Sequence, residues 1–496
     1  MKEANKRAYR MHMRFGAPLV LLFFAICFSG TVAVVERDLV QWEKPTTWSA
    51  RLNDSITLDP IVAQAVAEPS TKGRVRAWPD DEHPTTEVGY STPDGFRRHY
   101  VDRQTGAVLA DSSTRLIYRI VQLHRNLLAS GVLHVPGRLL VGLCGLMFLI
   151  MLSTGLWQHR SFRALVKTRW PRKPGARAVT LHRLSGLALL PFSAGLAITG
   201  AVLGLTLLLV GLGAQVGFDG DRDAAFEALG AQLGVKPPPD DIGPETPSRS
   251  VDATLAEHRD PSHGVVLIDV AHHGHAAASV TLQEVDHPWH ITGHTRSREV
   301  SLVDGRLSST VHHGPNRTAA ASVILSLTPL HYATYGNAVV RWLYFAAGLA
   351  LCAMIVGGLE VWRHRARGSR AARRCLAGCY GLVAATMLAG VVSRVLPPGN
   401  LDSAVTTVTL LGLWLAASVA FERSFVHRPR AVGSSVRLGF ALVSLIVVAG
   451  SSLGWSWATR PTSVLVYDAV LLALGVVLLA FEKRARGSAL RSSSSS

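Results

Sequence analysis

Of the 20 histidines in this chain, four stand at spacings that suit ligation of a metal-centred cofactor. His12 and His182 each precede one glycine by four residues (Gly16, Gly186) and a second by eighteen (Gly30, Gly200). His124 lies in Gln122-Leu-His-Arg-Asn and His331 in Pro329-Leu-His-Tyr, each upstream of a long apolar run. Neutral imidazoles are ready ligands for haem iron, and a haem held on both faces needs two of them opposed. A glycine one turn along the same helix face removes the side chain that would collide with a flat macrocycle.

Such histidines need long helices to carry them, and the composition supplies these. Only 17% of the 496 residues are charged and 48% are hydrophobic. Eight apolar runs reach the length of a bilayer's hydrocarbon core, about 17–25 residues. They lie near 17–35, 139–157, 184–212, 338–359, 375–396, 404–421, 438–455 and 463–481. The third contains Pro191, where a kink is expected. The first, although basic at its front like a signal peptide, is longer than the usual cleaved apolar core and is read as a retained span.

The net charge of +17 and a pI near 10.2 would suit a nucleic-acid binder if spread over one surface. Instead, 26 basic residues fall on segments 1–14, 158–181, 363–374, 423–437 and the tail from Lys483. Alternation of eight spans puts all of these on one side, which the positive-inside rule makes cytoplasmic, with both termini there. The long connections are near neutral or acidic and are expected outside. No nucleic-acid partner is implied; the partner of the apolar surface is the lipid bilayer. The five cysteines all fall in spans and imply no disulfide framework. Proline content marks a linker from Lys236, and the terminal serines mark a tail.

The first and third spans share the His-Gly-Gly spacing, and the second and fourth share another. Gly137-Arg138 runs to Thr154-Gly155, and Val340-Arg341 runs to Gly357-Gly358, each followed by Trp and His-Arg. A unit of helix, outer segment and helix thus occurs twice in one orientation. Parallel repeats pack about an axis along the membrane normal, which brings equivalent residues to one depth. His12 with His182 would form an inner pair, and His124 with His331 an outer pair. His134, near Pro136, rivals His124, while His159 and His364 are expected interfacial anchors and substitutes for His12. The second outer segment holds ten histidines, among them His272, His273 and His275, a candidate weak metal site.

The motifs Leu181-His-Arg-Leu-Ser-Gly-Leu187, Gly137-Arg138-Leu-Leu-Val-Gly-Leu-Cys-Gly, Ser153-Thr-Gly-Leu-Trp157 and Leu330-His331…Tyr335-Gly336 resemble the PepSY-associated transmembrane family. Better-understood members look like inner-membrane ferric-siderophore reductases. Tyr100-Val-Asp-Arg-Gln-Thr-Gly-Ala-Val-Leu109 is similar to the closing hairpin of a PepSY module, with Val300–Leu307 as its fainter counterpart. The resemblance covers about residues 8–365 and departs at His12, which is followed by Met rather than Arg. It implies haem b, two groups if both pairs are used, and reduction of iron delivered outside.

The expected fold is an all-α polytopic membrane protein of about eight transmembrane helices, with a four-helix haem core and two α+β PepSY-like extracytoplasmic domains. Its parts are a cytoplasmic N-terminus (1–14), TM1 (15–36), an outer PepSY-like domain (37–122), TM2 with an interfacial lead-in (123–158) and a basic loop (159–181). TM3 (182–212), the His-rich outer domain (213–328), TM4 (329–362), a basic loop (363–374), an accessory bundle TM5–TM8 (375–482) and a tail (483–496) follow. The expected function is a di-haem b oxidoreductase of the bacterial inner membrane. It would take electrons from a quinol or a cytoplasmic flavin reductase and reduce a ferric siderophore outside. The alternative is a haem-free PepSY membrane protein that binds peptides or regulates an extracytoplasmic partner. A transporter fits less well, because charges at mid-membrane depth are nearly absent.

Overall fold

Without water to accept their backbone hydrogen bonds, apolar runs of this length are satisfied only as helices, and the computed structural model has them so. It describes residues 2–50, 56–67, 74–80, 82–92, 95–111, 116–129, 134–158, 171, 174–233, 242–291, 295–312, 319–366, 369–395, 403–427, 432–452 and 462–493. His159, most of the basic loop 159–173, the proline-rich stretch 234–241, His313 and the last three serines lie outside these.

Among the described residues, six helices are long and apolar enough to cross a membrane, at Glu3–Val34, Val135–Trp157, Leu190–Gly217, Ala338–Arg365, Arg370–Arg394 and Val405–Val426. The expectation of eight is met to that extent. The last two runs fall on helices whose described apolar cores, Val436–Ile446 and Val464–Ala480, are shorter.

The chain divides into two compact units. The first comprises Met1–Pro45, Thr114–Ala201 and Tyr344–Ser496. It is helical: α1 (Lys2–Val34), α2 (Glu36–Glu43), α4 (Leu116–Asn126), α5 (His134–Trp157), α6 (Pro174–Ala188) and the start of α7 (Leu190–Gly217). Most of α11 (Ala338–Arg365) follows, then α12 (Arg370–Val395), α13 (Ser403–His427), α14 (Val432–Ser452) and α15 (Thr462–Ser493). The break between α6 and α7 is a single residue, Leu189, and Pro191 then sits in the first turn of α7, where its missing N–H costs nothing. Pro136 likewise occupies the first turn of α5 rather than interrupting a helix.

The second unit, Thr46–Ser113 with Val202–Leu343, holds α8 (Arg222–Leu233) and one eight-stranded antiparallel sheet in the order β4-β3-β2-β1-β5-β6-β7-β8. The connection between the first two spans supplies β1 (Val75–Trp78), β2 (Thr85–Thr92), β3 (Gly95–Asp102) and β4 (Val108–Asp111). The connection between the third and fourth supplies β5 (Gly264–Ala271), β6 (Ser279–Val285), β7 (Arg296–Ser301) and β8 (Leu307–His312). The two segments therefore close into one sheet along β1 and β5, where Val75 faces Val270 and Ala77 faces Ile268. Both expected closing hairpins are present, each with a glycine in the left-handed region that a side chain would strain, Gly106 (φ 68°) and Gly305 (φ 76°).

Alternate strand residues, including Val88, Val101, Ile268, Val280 and Val300, form a continuous core with α3 (Asp59–Val66) and α9 (Val251–His258). The two short helices cap one another. Asp252 Oδ1 accepts from the Leu58 amide at 2.6 Å, and Asp59 Oδ1 accepts from the Val251 amide at 2.7 Å. Burial raises the Asp252 carboxyl above the ordinary aspartate range, the backbone N–H groups oppose this, and Asp59 adds to it.

Candidate functional site: histidines in the helical unit

The inner pair expected from the repeat comes together. His12, on α1, and His182, on α6, have ring centroids 6.3 Å apart. Two metal–imidazole bonds of about 2 Å, plus the two ring radii, put centroids of opposed ligands at about 6 Å. The separation matches that spacing, with the ring planes at 71° to one another.

Each ring is also held in one tautomer. His182 Nδ1 lies 2.9 Å from the Met354 carbonyl, and His12 Nδ1 lies 3.2 Å from the Met151 carbonyl. A carbonyl can only accept, so in these contacts Nδ1 carries the proton, which makes Nε2 the nitrogen that could ligate a metal. The two methionines are equivalent, each thirteen residues beyond its repeat arginine, Arg138 or Arg341. His12 has a second partner in the Thr154 hydroxyl at 3.2 Å, which itself donates to the Ile150 carbonyl. The position equivalent to Thr154 in the other repeat is Gly357, so that support is one-sided.

His124 follows the same rule at the other end of α1. It lies in the last turn of α4, and its Nδ1 is 2.9 Å from the Ile26 carbonyl. In all three cases a glycine stands four residues beyond the accepting carbonyl: Gly155 after Met151, Gly358 after Met354, Gly30 after Ile26. That residue supplies the N–H already bonded to the same carbonyl. With no Cβ there, an imidazole can reach the second lone pair. A Cβ on Gly30 would stand 2.7 Å from His124 Cε1, and one on Gly358 would stand 3.0 Å from His182 Cε1.

The glycines thus divide differently from the sequence expectation. Gly16 and Gly186 face the side chains of Met151 and Met354, while Gly155 and Gly358, noted from sequence only as one position of the repeat, meet the histidines. Gly200, the counterpart of Gly30, lies within α7. Sequence reasoning missed Thr154 and the two methionine carbonyls. The signal that could have found them was present, as glycines at one repeat position in α5 and α11.

His331 lies in the last turn of α10 (Ala319–Tyr332), in the second unit, with its ring 5.5 Å from that of Tyr332. His134 opens α5, and His364 lies 3.8 Å from Glu360 near the end of α11. Among the described residues no three His, Cys, Asp or Glu side chains gather as a metal site. His272, His273 and His275 occupy the turn after β5, where His272 takes a left-handed backbone (φ 53°), and they do not converge as such a set.

An uncharacterised protein of Pseudomonas aeruginosa is 29% identical over 318 residues, covering 61% of this chain and 78% of its own length. Residues 9–365 correspond to the PepSY-associated TM region, from just before His12 through the end of α11. A multi-pass membrane protein in which that region takes up most of the chain, this protein belongs to the PepSY-associated transmembrane family.

Proposed function

We propose that the protein is an inner-membrane di-haem b oxidoreductase that moves electrons outward to reduce ferric iron in siderophore chelates. The observation that carries the reading is the pair His12 and His182, with ring centroids 6.3 Å apart and each Nδ1 within hydrogen-bond reach of a helix carbonyl. When bound, b-type haem supplies a one-electron ferric–ferrous couple.

The chain's own residues do the rest. His12 and His182 hold the inner group, and the Met151 and Met354 carbonyls orient their rings. His124, oriented by Ile26, is one ligand of the outer group, and the repeat names His331 as the other. Apolar helices around them exclude water. With both termini cytoplasmic, the inner pair faces a quinol or flavin-reductase donor and the outer pair faces the chelate. Hard oxygen donors of a siderophore hold Fe(III) far better than Fe(II), so one electron weakens the complex and releases the metal.

A dithionite-reduced spectrum of detergent-purified protein tests this. The expected result is b-type α and Soret bands, with His182→Ala and His331→Ala each removing about one of two haems. A wild-type spectrum without those bands would sink the reading.

A further inference from the structure

The helices beyond Arg365 lie outside the family region, yet they contribute to a buried cluster of charges in the helical unit. Glu43 is fully buried, and Asp468, Lys44 and Arg394 are nearly so. Ionised groups in such surroundings depend on hydrogen bonds and partners, and each of these four makes at least one hydrogen bond. Trp42 Nε1 donates to Asp468 on α15 at 3.1 Å. Arg394, at the end of α12, donates to the Trp42 carbonyl at 2.8 Å and lies 5.3 Å over the Trp42 ring. Lys44 Nζ donates to the Ser393 carbonyl at 3.4 Å, and the Ser393 hydroxyl donates to Glu43. Gly390 leaves room for the Trp42 ring, which a Cβ there would meet at 2.9 Å.

Glu43 in turn reaches α4. Its Oε1 accepts from the Leu116 amide at 2.6 Å and its Oε2 from the Ile117 amide at 3.1 Å. These are the first two N–H groups of that helix, which have no partner within it, and a carboxylate there also complements the helix dipole. Two turns on is His124, with its ring against Gly30. A one-residue slip of α4 would move that ring about 1.5 Å along the helix and turn it by more than a quarter of a circle.

We propose that the C-terminal helices position His124: Ser393, Arg394 and Asp468 hold the segment Trp42–Lys44, and Glu43 pins the His124 helix in register. Glu43 is a positioning residue, and what it positions His124 to do rests on the haem reading above.

The test uses full-length protein with hydrogen exchange across residues 116–126 and low-temperature electron paramagnetic resonance of the haems. Glu43→Ala should speed exchange in the first turn of α4 at least about tenfold, the loss expected for a buried charged acceptor. It should also convert one low-spin haem signal to high spin and leave the other unchanged. Glu43→Gln, which keeps a carbonyl oxygen, should recover most of both. Should Glu43→Ala fail to accumulate, Ser393→Ala removes only a hydroxyl and should move both readouts less, in the same direction. Unchanged exchange in every variant overturns the proposal. So does faster exchange with both haem signals as in wild type, which would make the cap merely structural. Wild-type protein without haem overturns the functional reading itself, an outcome distinct from these.

Discussion

At the scale of single residues, the site depends on small clearances. A helical carbonyl already bonded to the amide four residues on has a second lone pair, but a side chain at that fourth residue usually covers it. Glycine uncovers it, and an imidazole from a neighbouring helix takes the place. Each glycine costs its helix about 1 kcal/mol relative to alanine, so alanine would be favoured wherever the clearance is not needed. The three positions therefore differ in a predictable order. A Cβ would stand 3.5 Å from His12 at Gly155, an ordinary contact, but 3.0 Å from His182 at Gly358 and 2.7 Å from His124 at Gly30. Gly155→Ala is expected to raise the melting temperature slightly or leave it unchanged. Gly358→Ala and Gly30→Ala should lower it, with an overpacking cost of about 1–3 kcal/mol. Thermal unfolding of the three variants in one detergent checks the order; equal effects at all three would show that the rings do not sit as described.

At the scale of elements, the paired caps of α3 and α9 tie the two sheet-forming segments together locally. Asp252 accepts from the Leu58 and Asp59 amides, and Asp59 from the Val251 amide. Removing the acceptor by Asp59→Ala should cost about 0.5–2 kcal/mol, as for other N-caps. Asp252→Asn should behave differently, because an amide oxygen still accepts while the buried charge near Asp59 is gone. The raised carboxyl means that the folded state holds its proton more tightly than the unfolded state. Its favourable contribution is complete below the ordinary aspartate value and is lost as pH rises through the raised one. Asp252→Asn should thus be stabilising near neutral pH, with the advantage vanishing in acid. Urea unfolding followed by exchange in α9 at both pH values measures this, and an advantage that grows in acid would contradict it.

At the scale of the whole molecule, two sequence-distant segments share one sheet and one core. The seam is β1 against β5, and Asp269 on β5 holds it from the polar face. It accepts from Arg74 at 3.0 and 2.7 Å and from Arg76 at 3.2 Å. Asp269→Ala leaves two half-exposed guanidinium groups without that acceptor and should cost about 1–3 kcal/mol. Exchange should quicken in Val75–Trp78 and 267–270 before the outer hairpins respond. Uniform loosening of all eight strands would instead show that the seam has no separate stability.

Span length, charge asymmetry and the doubled His-Gly spacing were legible from sequence because each depends on neighbours in the chain. Bilayer thickness sets the first, insertion bias the second, and helical periodicity the third. Those patterns were enough to name His12 and His182 as a pair, although the methionine after His12 departs from the repeat. Tertiary structure alone decided what the rings touch, since the accepting carbonyls at Met151, Met354 and Ile26 are backbone groups that any residue type would supply. It also decided that the two long connections form one sheet, because the strand pairing of Val75 with Val270 joins residues far apart in the chain and leaves no periodic trace. The role of the C-terminal helices was hidden for the same reason. Glu43, Ser393, Arg394 and Asp468 are ordinary polar residues at helix ends until folding buries them together.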